Sequence, residues 1–439
     1  MLNDPGIEYA LSRAWHKDTA TNSLERWLEL SQQEGWEIPV DSLTLLTALF
    51  GASWYFTRFC FYRGNNVINL FGNNKNVSSV ESALNELKNI SSDDNLDEAI
   101  EQLRIRKNEI MLSILLLQLG DVINQEQAEL WLTKLADYVL IVMYRLFGLD
   151  QLKTIQCSVL AMGRFAGNEM NYGSDLDLIF IENILVPDSN EFIINKVRKM
   201  LRYISTMDPS GALYEIDMRL RPHGSSGVLV TPLESFLAFH QDEREVWERQ
   251  MMTRCRVVVG NEELSERVNS EVLNQVYGEY EISYLAKEVI KVRLLVEQEL
   301  AGGSDKIDIK RGKGGVMDID FLTHFLQLAY GAKCPGLRSV STRQVLKESA
   351  KLGFINEKTA LELLSIYDFY KKSEAALRVF DMKSISKVSK DTKSLLPLAR
   401  ATGFFDDDQD KAVAEYEDRL MQYRDRVRVM FESIIHAAI

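Results

Sequence analysis

Apolar residues recur every three or four positions through most of the chain, a period that predicts helices. In residues 1–72 it runs through LERWLELSQQ and SLTLLTALFGASWYFTRFCFYRG, where Trp54, Tyr55, Phe56, Phe59 and Phe61 read as a helix core. Residues 73–96 turn polar, rich in Asn and Ser, and read as an exposed connection with a short helix over 80–87. Further helices are predicted over 96–119 and 126–147. The first third is therefore helical. Beyond Gly260 the pattern is again helical apart from loops at 301–315, 331–336 and 384–391, so the last third reads as a helical bundle. No internal repeat stands out.

Between these parts the period changes to two. Residues 158–182, SVLAMGRFAGNEMNYGSDLDLIFIE, read as a strand over 158–162, a glycine turn, a polar hairpin-like segment and a second strand over 175–182. Pro187 and Asp188 break the pattern, a helix follows over 191–207, and Asp208-Pro209-Ser210-Gly211 forms a turn. In 212–221, ALYEIDMRLR, Tyr214, Ile216, Met218 and Leu220 face one side of a strand while Glu215, Asp217, Arg219 and Arg221 face the other. A helix over 232–241 comes next, with Thr231 as its N-cap.

The chemistry sits on these strands. Asp175 and Asp177 point the same way, opposite to Leu176, Leu178 and Phe180. Two acids on one sheet surface repel unless a cation lies between them, and Mg²⁺ suits carboxylate oxygens where phosphates are also bound. An isolated Asp-x-Asp is weak. Here it opens a buried-type strand, follows Gly163-Arg164, and precedes by some forty residues a strand carrying Asp217. The combination reads as a two-metal nucleotidyl-transfer site, in which three carboxylates hold two ions and no protein nucleophile is needed. The turn at Gly163 and the Ser174 hydroxyl fit phosphate contacts as well as simple turn roles. The segment DIKRGKGG, 308–315, precedes a helix over 316–330 and offers Lys310, Arg311 and Lys313 either as an anion site or as an interdomain loop. Asp318 and Asp320, early in that helix, are equally suited to structure and to function.

Composition narrows the ligand. The 439 residues are 46% hydrophobic, an ordinary globular fraction, and carry a formal net charge of −13, which argues against broad nucleic-acid binding. An anionic ligand needs a local basic pocket, and Arg164, Arg219, Arg221, Lys310, Arg311 and Lys313 are the candidates. MLNDPGIEYA is not the pattern of a signal peptide, and the longest apolar runs, 114–117 and 138–144, are too short to span a bilayer. Cys60, Cys157, Cys255 and Cys334 lie far apart without metal-ligand spacing, and the five histidines make no HxxxH pair. A reduced, cytoplasmic protein without a zinc site is expected.

The ordered stretches MGRFAGNEMNYGSDLDLIF, YEIDMRLRPHGSSGVLVTP, WERQMMTRCRVVVG and DIKRGKGGVMDIDF together resemble the glutamine synthetase adenylyltransferase family. ALFGASWYFTRFCFYRGNNVINLF and LRIRKNEIMLSILLLQLGDV extend the resemblance over roughly residues 22–428. It implies an α+β, mostly helical chain: an N-terminal helical domain (1–124), a nucleotidyltransferase domain of the DNA polymerase β type (125–262) and a C-terminal helical bundle (263–439). It also implies transfer of AMP from ATP, with two Mg²⁺ ions, to a tyrosine of glutamine synthetase, or phosphorolytic removal of that AMP. PII signalling proteins are the implied regulators. The length is that of one of the family's two tandem units, and the motifs stand somewhat closer to the adenylylating one. Carried over by motif, Asp175, Asp177 and Asp217 hold the metals, Gly163 and Ser174 belong to the phosphate loop, and Arg219, Arg221 and Lys310 surround the triphosphate. Three positions depart from the pattern: Arg164 stands for a lysine, Phe165-Ala166-Gly167 for Leu-Gly-Gly, and Asp320 for a glutamate. A non-catalytic subunit that binds glutamine synthetase or PII is the alternative of another class, and three retained, mutually repelling acids speak against it.

Overall fold

The computed structural model describes residues 5–73, 77–91, 95–184, 190–241, 245–300 and 306–439. Helices begin where a side chain accepts from the open N–H groups of the first turn. Ser53 does this for Trp54–Arg63, Asn95 for Leu96–Leu119 and Asn124 for Gln125–Leu146. With Lys17–Glu34, Val40–Ala52, Val77–Leu87 and shorter helices they form the helical first third. Of the aromatic cluster, Phe56 and Phe59 are buried and Tyr55 and Phe61 pack partly against the core, whereas Trp54 is 39% exposed. The predicted break at Pro187 and Asp188 and residues 301–305 of a predicted loop lie outside the described residues.

The strands are β1 (Ile155–Met162), β2 (Leu176–Ile184), β3 (Ile216–Asp217), β4 (Val230–Pro232) and β5 (Cys255–Gly260), with β6 (Lys306–Asp308) and β7 (Lys387–Ser389) in a separate pair. The main sheet has the order β3-β2-β1-β5, and β4 joins β2 beyond β3 on the same edge. β1 runs antiparallel to β2 and β5, while β3 and β4 run parallel to β2. The architecture is thus α+β and mostly helical, with a small mixed sheet.

Alternation decides which helices each face of the sheet meets. Ile155, Cys157, Val159, Leu176, Leu178 and Phe180 pack into one core with the N-terminal helices. Leu160, Met162, Ile179 and Ile181 pack into a second core with helices from the C-terminal half. Both faces are covered, so the central strands β1 and β2 are almost continuously apolar. Asp175 and Asp177 share the parity of Ile179 and Ile181, and they therefore meet the C-terminal half of the chain.

Six elements differ from the sequence reading. The ten-residue strand over 212–221 shortens to β3, because the Leu213 and Tyr214 N–H groups donate to the Ile204 carbonyl and Arg221 holds its own turn instead of continuing a ladder. Thr231 caps no helix; it lies buried in β4 opposite Ile181. The hairpin-like segment after β1 is a one-turn helix, Gly163–Ala166, followed by turns. The loops at 301–315 and 384–391 contain β6 and β7, whose three-residue lengths leave no period to read. β5 is not among the predicted strands, although CRVVVG is rich in β-branched residues. The helix Val316–Tyr330 has the predicted bounds. All four cysteines are free, and among the described residues no helix is long and apolar enough to cross a membrane.

Candidate active site

β1 ends at Met162, and the chain turns at Gly163 with φ +56°, a conformation that favours glycine. A Cβ there would stand 2.8 Å from Oδ2 of Asp177, so the glycine also lets the turn lie directly against that carboxylate. Its N–H donates to the Arg254 carbonyl at 3.2 Å, fixing the turn to the start of β5. The chain then returns through a second tight turn. The Ser174 N–H donates to the Asn171 carbonyl at 3.2 Å, and the Asn171 N–H donates to the Ser174 hydroxyl at 3.0 Å. Arg378, from the far end of the chain, also donates to that hydroxyl, at 3.3 Å.

The turn delivers Asp175 to the start of β2. Parallel pairing places Asp217 of β3 directly beside Asp177. Each of the three residues can offer one carboxylate oxygen such that these atoms all lie within 4.8 Å of one another, and all three side chains are half-buried. Burial, then repulsion from Asp175 and Asp217, pushes the Asp177 carboxyl up to about 7. The Asp217 carboxyl moves the other way, below the usual range, because Arg219 bonds it. The Arg219 Nε donates to both oxygens at 3.0 and 2.8 Å, and its backbone N–H donates at 2.8 Å. Arg219 is otherwise exposed, with 78% of its side chain open, so it is a surface cation leaning on the cluster.

Lys310 approaches from the C-terminal side. Its amine opposes the raised pKa of Asp177, and burial, helped by nearby Arg164, pushes its own pKa down to about 8. Asp308 fixes its backbone by accepting from the Lys310 N–H at 3.0 Å and the Arg311 N–H at 2.8 Å. The structure thus brings Gly163, Asp217 and Lys310 to Asp177, Arg219 to Asp217, and Ser174 directly before Asp175.

Two further candidates are engaged by other partners. The Arg221 guanidinium donates to the carbonyls of Met218, Ser225 and Gly227 at 2.9–3.2 Å and is occupied in holding that turn. Arg164 is turned into a buried polar network. It donates to Asp320 Oδ2 at 2.7 Å, to Glu169 at 3.0 Å and to the Tyr367 hydroxyl. Asp320 also accepts from Arg254 at 2.7 Å, and the two arginines hold its carboxyl well below the usual range despite burial. Asp318 is likewise structural, paired with Arg293 and Arg428 in the interior. Arg378, Glu169 and Arg254 escaped the sequence reading. Their contacts with Ser174, Thr342 and Asp320 join residues 66 to 204 positions apart, which no local pattern shows.

The all-carboxylate oxygen donor set fits a hard divalent cation such as Mg²⁺. A family model described as glutamate-ammonia ligase adenylyltransferase matches residues 45–271, and one described as GlnD PII-uridylyltransferase matches residues 291–435. Among curated relatives, bifunctional glutamine synthetase adenylyltransferase/adenylyl-removing enzymes are 29% identical in Chromobacterium violaceum (60% of this chain, 31% of the relative) and 27% identical in Rhodopseudomonas palustris strain HaA2 (81% and 38%). The enzyme of the same description from Bradyrhizobium diazoefficiens is 30% identical over 65% of this chain and 29% of its own length. The chain spans about a third of the length of these relatives. With more than half of its residues matched by the first of the two models, and the matched stretch containing all three carboxylates, the chain belongs to the glutamate-ammonia ligase adenylyltransferase family.

Proposed function

We propose that this chain is a metal-dependent protein adenylyltransferase that moves AMP from ATP to a tyrosine hydroxyl of glutamine synthetase. The observation that carries the reading is the carboxylate trio Asp175, Asp177 and Asp217 at the parallel pair β2 and β3, with the Lys310 amine acting on Asp177 and Ser174 directly before Asp175. Residues 125–262 are then a nucleotidyltransferase domain of the DNA polymerase β type, between helical parts at 1–124 and 263–439, acting in the cytoplasm.

Asp175, Asp177 and Asp217 would hold two Mg²⁺ ions, which would supply Lewis-acid chemistry that acidifies the attacking hydroxyl and balances charge on the leaving group. Ser174 and Lys310 bind and orient the triphosphate, and the glycine turn at Gly163 keeps the phosphates close to the acids. In the step itself the phenolic oxygen bonds to the α-phosphorus and the bond to the bridging oxygen breaks. Pyrophosphate leaves with that electron pair, and the phenolic proton goes to solvent. Arg219, bonded to Asp217 and otherwise exposed, is long enough to reach a phosphate oxygen beside the acids. The relatives' names also carry the removing activity, which supports a second reading: phosphate attacks the same phosphorus, the tyrosine oxygen leaves, and ADP is released. The match of residues 291–435 to a PII-uridylyltransferase model supports the C-terminal helices as the place where a PII protein acts.

The test is incubation of the purified chain with Mg²⁺, α-labelled ATP and unmodified glutamine synthetase. Label on the synthetase, one AMP per subunit by mass and absent with Asp177→Asn, is the expected result. ADP release from pre-adenylylated synthetase on adding phosphate, without forward transfer, selects the second reading. Silence in both directions rejects both.

A further inference from the structure

The Ser174 hydroxyl stands next to Asp175 with both of its acceptor positions taken, by the Asn171 N–H at 3.0 Å and by Nη1 of Arg378 at 3.3 Å. A hydroxyl has one proton and two lone pairs. With both lone pairs engaged its O–H is left to donate, away from the two donors. The turn that carries it is closed by its own backbone hydrogen bond, so the oxygen is fixed and only the proton remains to be used.

Arg378 is fixed as firmly. It is 6% exposed and ends the helix Glu357–Val379. Its Nη2 donates to Glu374 at 3.1 Å and its Nε to the Ile385 carbonyl at 3.1 Å. Glu374 pairs in turn with Lys371. The planar guanidinium therefore spans three acceptors in three directions, which a lysine ammonium on a shorter stem does not reproduce. The loop that follows rests on the Ser174 turn itself. A Cβ on Gly173, whose φ is +60°, would meet the Met382 carbonyl carbon at 2.6 Å. The phosphate-side turn of the sheet and the end of this distant helix are thus one packed unit. Lys310 stands in the field of the same arginine, and its amine acts in turn on Asp177, so the C-terminal half brings positive charge to the acids.

We propose that Arg378 is a positioning residue: by occupying one lone pair of Ser174 it aims the serine proton at a phosphate oxygen of the bound nucleotide and strengthens it as a donor. This rests on the adenylyl-transfer reading and adds to it a residue 204 positions from the serine in sequence. The contact serves the nucleotide in the ground state and the transition state alike, so its loss appears in KM for ATP more than in kcat.

The experiment measures initial rates of AMP transfer to glutamine synthetase, calorimetric binding of Mg²⁺·ATP, and thermal melting for the full chain and for Arg378→Gln, Arg378→Lys, Ser174→Ala and the Ser174→Ala/Arg378→Lys double variant. Arg378→Lys keeps a charge beside Glu374, so it guards against a variant that merely unfolds. The expected result is an ATP KM and Kd raised about tenfold in every single variant with kcat within about twofold, and no further loss in the double variant, because both substitutions remove the same donor. Wild-type affinity in the melting-competent Arg378→Lys protein, or additive losses in the double variant, overturns the proposal. If the wild type binds Mg²⁺·ATP but transfers nothing, the adenylyl-transfer reading fails while the affinities still decide the role of Arg378. If the wild type does not bind Mg²⁺·ATP, both fail.

Discussion

Asp177 is forced toward neutrality by burial and by two acidic neighbours, and this sets how the metal-free protein responds to pH. Its carboxyl lies near 7 in the folded chain and near the ordinary Asp value when unfolded. Between those values the native state holds a proton that the unfolded state has lost. The contribution of this group to stability is therefore present at low pH and is lost as pH rises from about 4 to 7. Asp177→Asn removes the charge. In EDTA the variant should be more stable than wild type at pH 8, by on the order of 2 kcal/mol, with the gap closing toward pH 5. Paired denaturant titrations check this, and a gap that does not depend on pH refutes it. The same proton competes with Mg²⁺. Apparent affinity for Mg²⁺ should fall about tenfold for each pH unit below 7 and flatten above it, with proton release on binding measurable by calorimetry in two buffers.

The turn after β1 and the helix Val316–Tyr330 meet through Arg164 and Asp320, two of the three positions where the sequence departs from the family pattern. A longer cation faces a shorter acid, so the departures compensate each other across one buried pair. Arg164→Lys and Asp320→Glu should each destabilise by about 2–4 kcal/mol, since each leaves a buried partner poorly matched, and the double variant should recover at least half of that loss. Additive losses in urea unfolding would show that the two are independent. Sequence reading found both residues but not the contact, because nothing in a local pattern joins positions 156 apart. The same limit explains the other gaps. Long helices declare themselves by period, as Leu96–Leu119 and Val316–Tyr330 do, and Asp175, Asp177 and Asp217 stand out because acids interrupt apolar alternation. Three-residue strands such as β6 and β7 have no period to show. Arg221 read as a phosphate ligand because charge in an alternating run looks free, whereas the fold directs it to three carbonyls.

β1 and β2 contribute alternate side chains to both hydrophobic cores, so neither core is complete without the sheet. Direct ties bypass the sheet as well. The Ser53 hydroxyl donates to the Val379 carbonyl at 2.6 Å and the Tyr55 N–H to the Phe380 carbonyl at 3.0 Å, joining the N-terminal helices to the end of the helix that carries Arg378. Glu129 is buried between Arg343 at 2.7 Å and Lys371 at 3.2 Å. Chains well above 150 residues often unfold in stages. Shared strands and buried cross-ties favour the opposite here: one thermal transition, coincident by far-ultraviolet circular dichroism and tryptophan fluorescence. Glu129→Gln probes this coupling, for it leaves two buried cations short of a counter-charge, although Asp368 and Glu374 still face them. It should lower the single midpoint by about 3 °C or more without splitting it. Two resolved transitions in the wild type, or a variant in which only the C-terminal helices melt early, would show that the carboxylate cleft is assembled from separately folding parts. A single shifted transition would mean that Ser174, Lys310 and the three acids gain and lose their arrangement together.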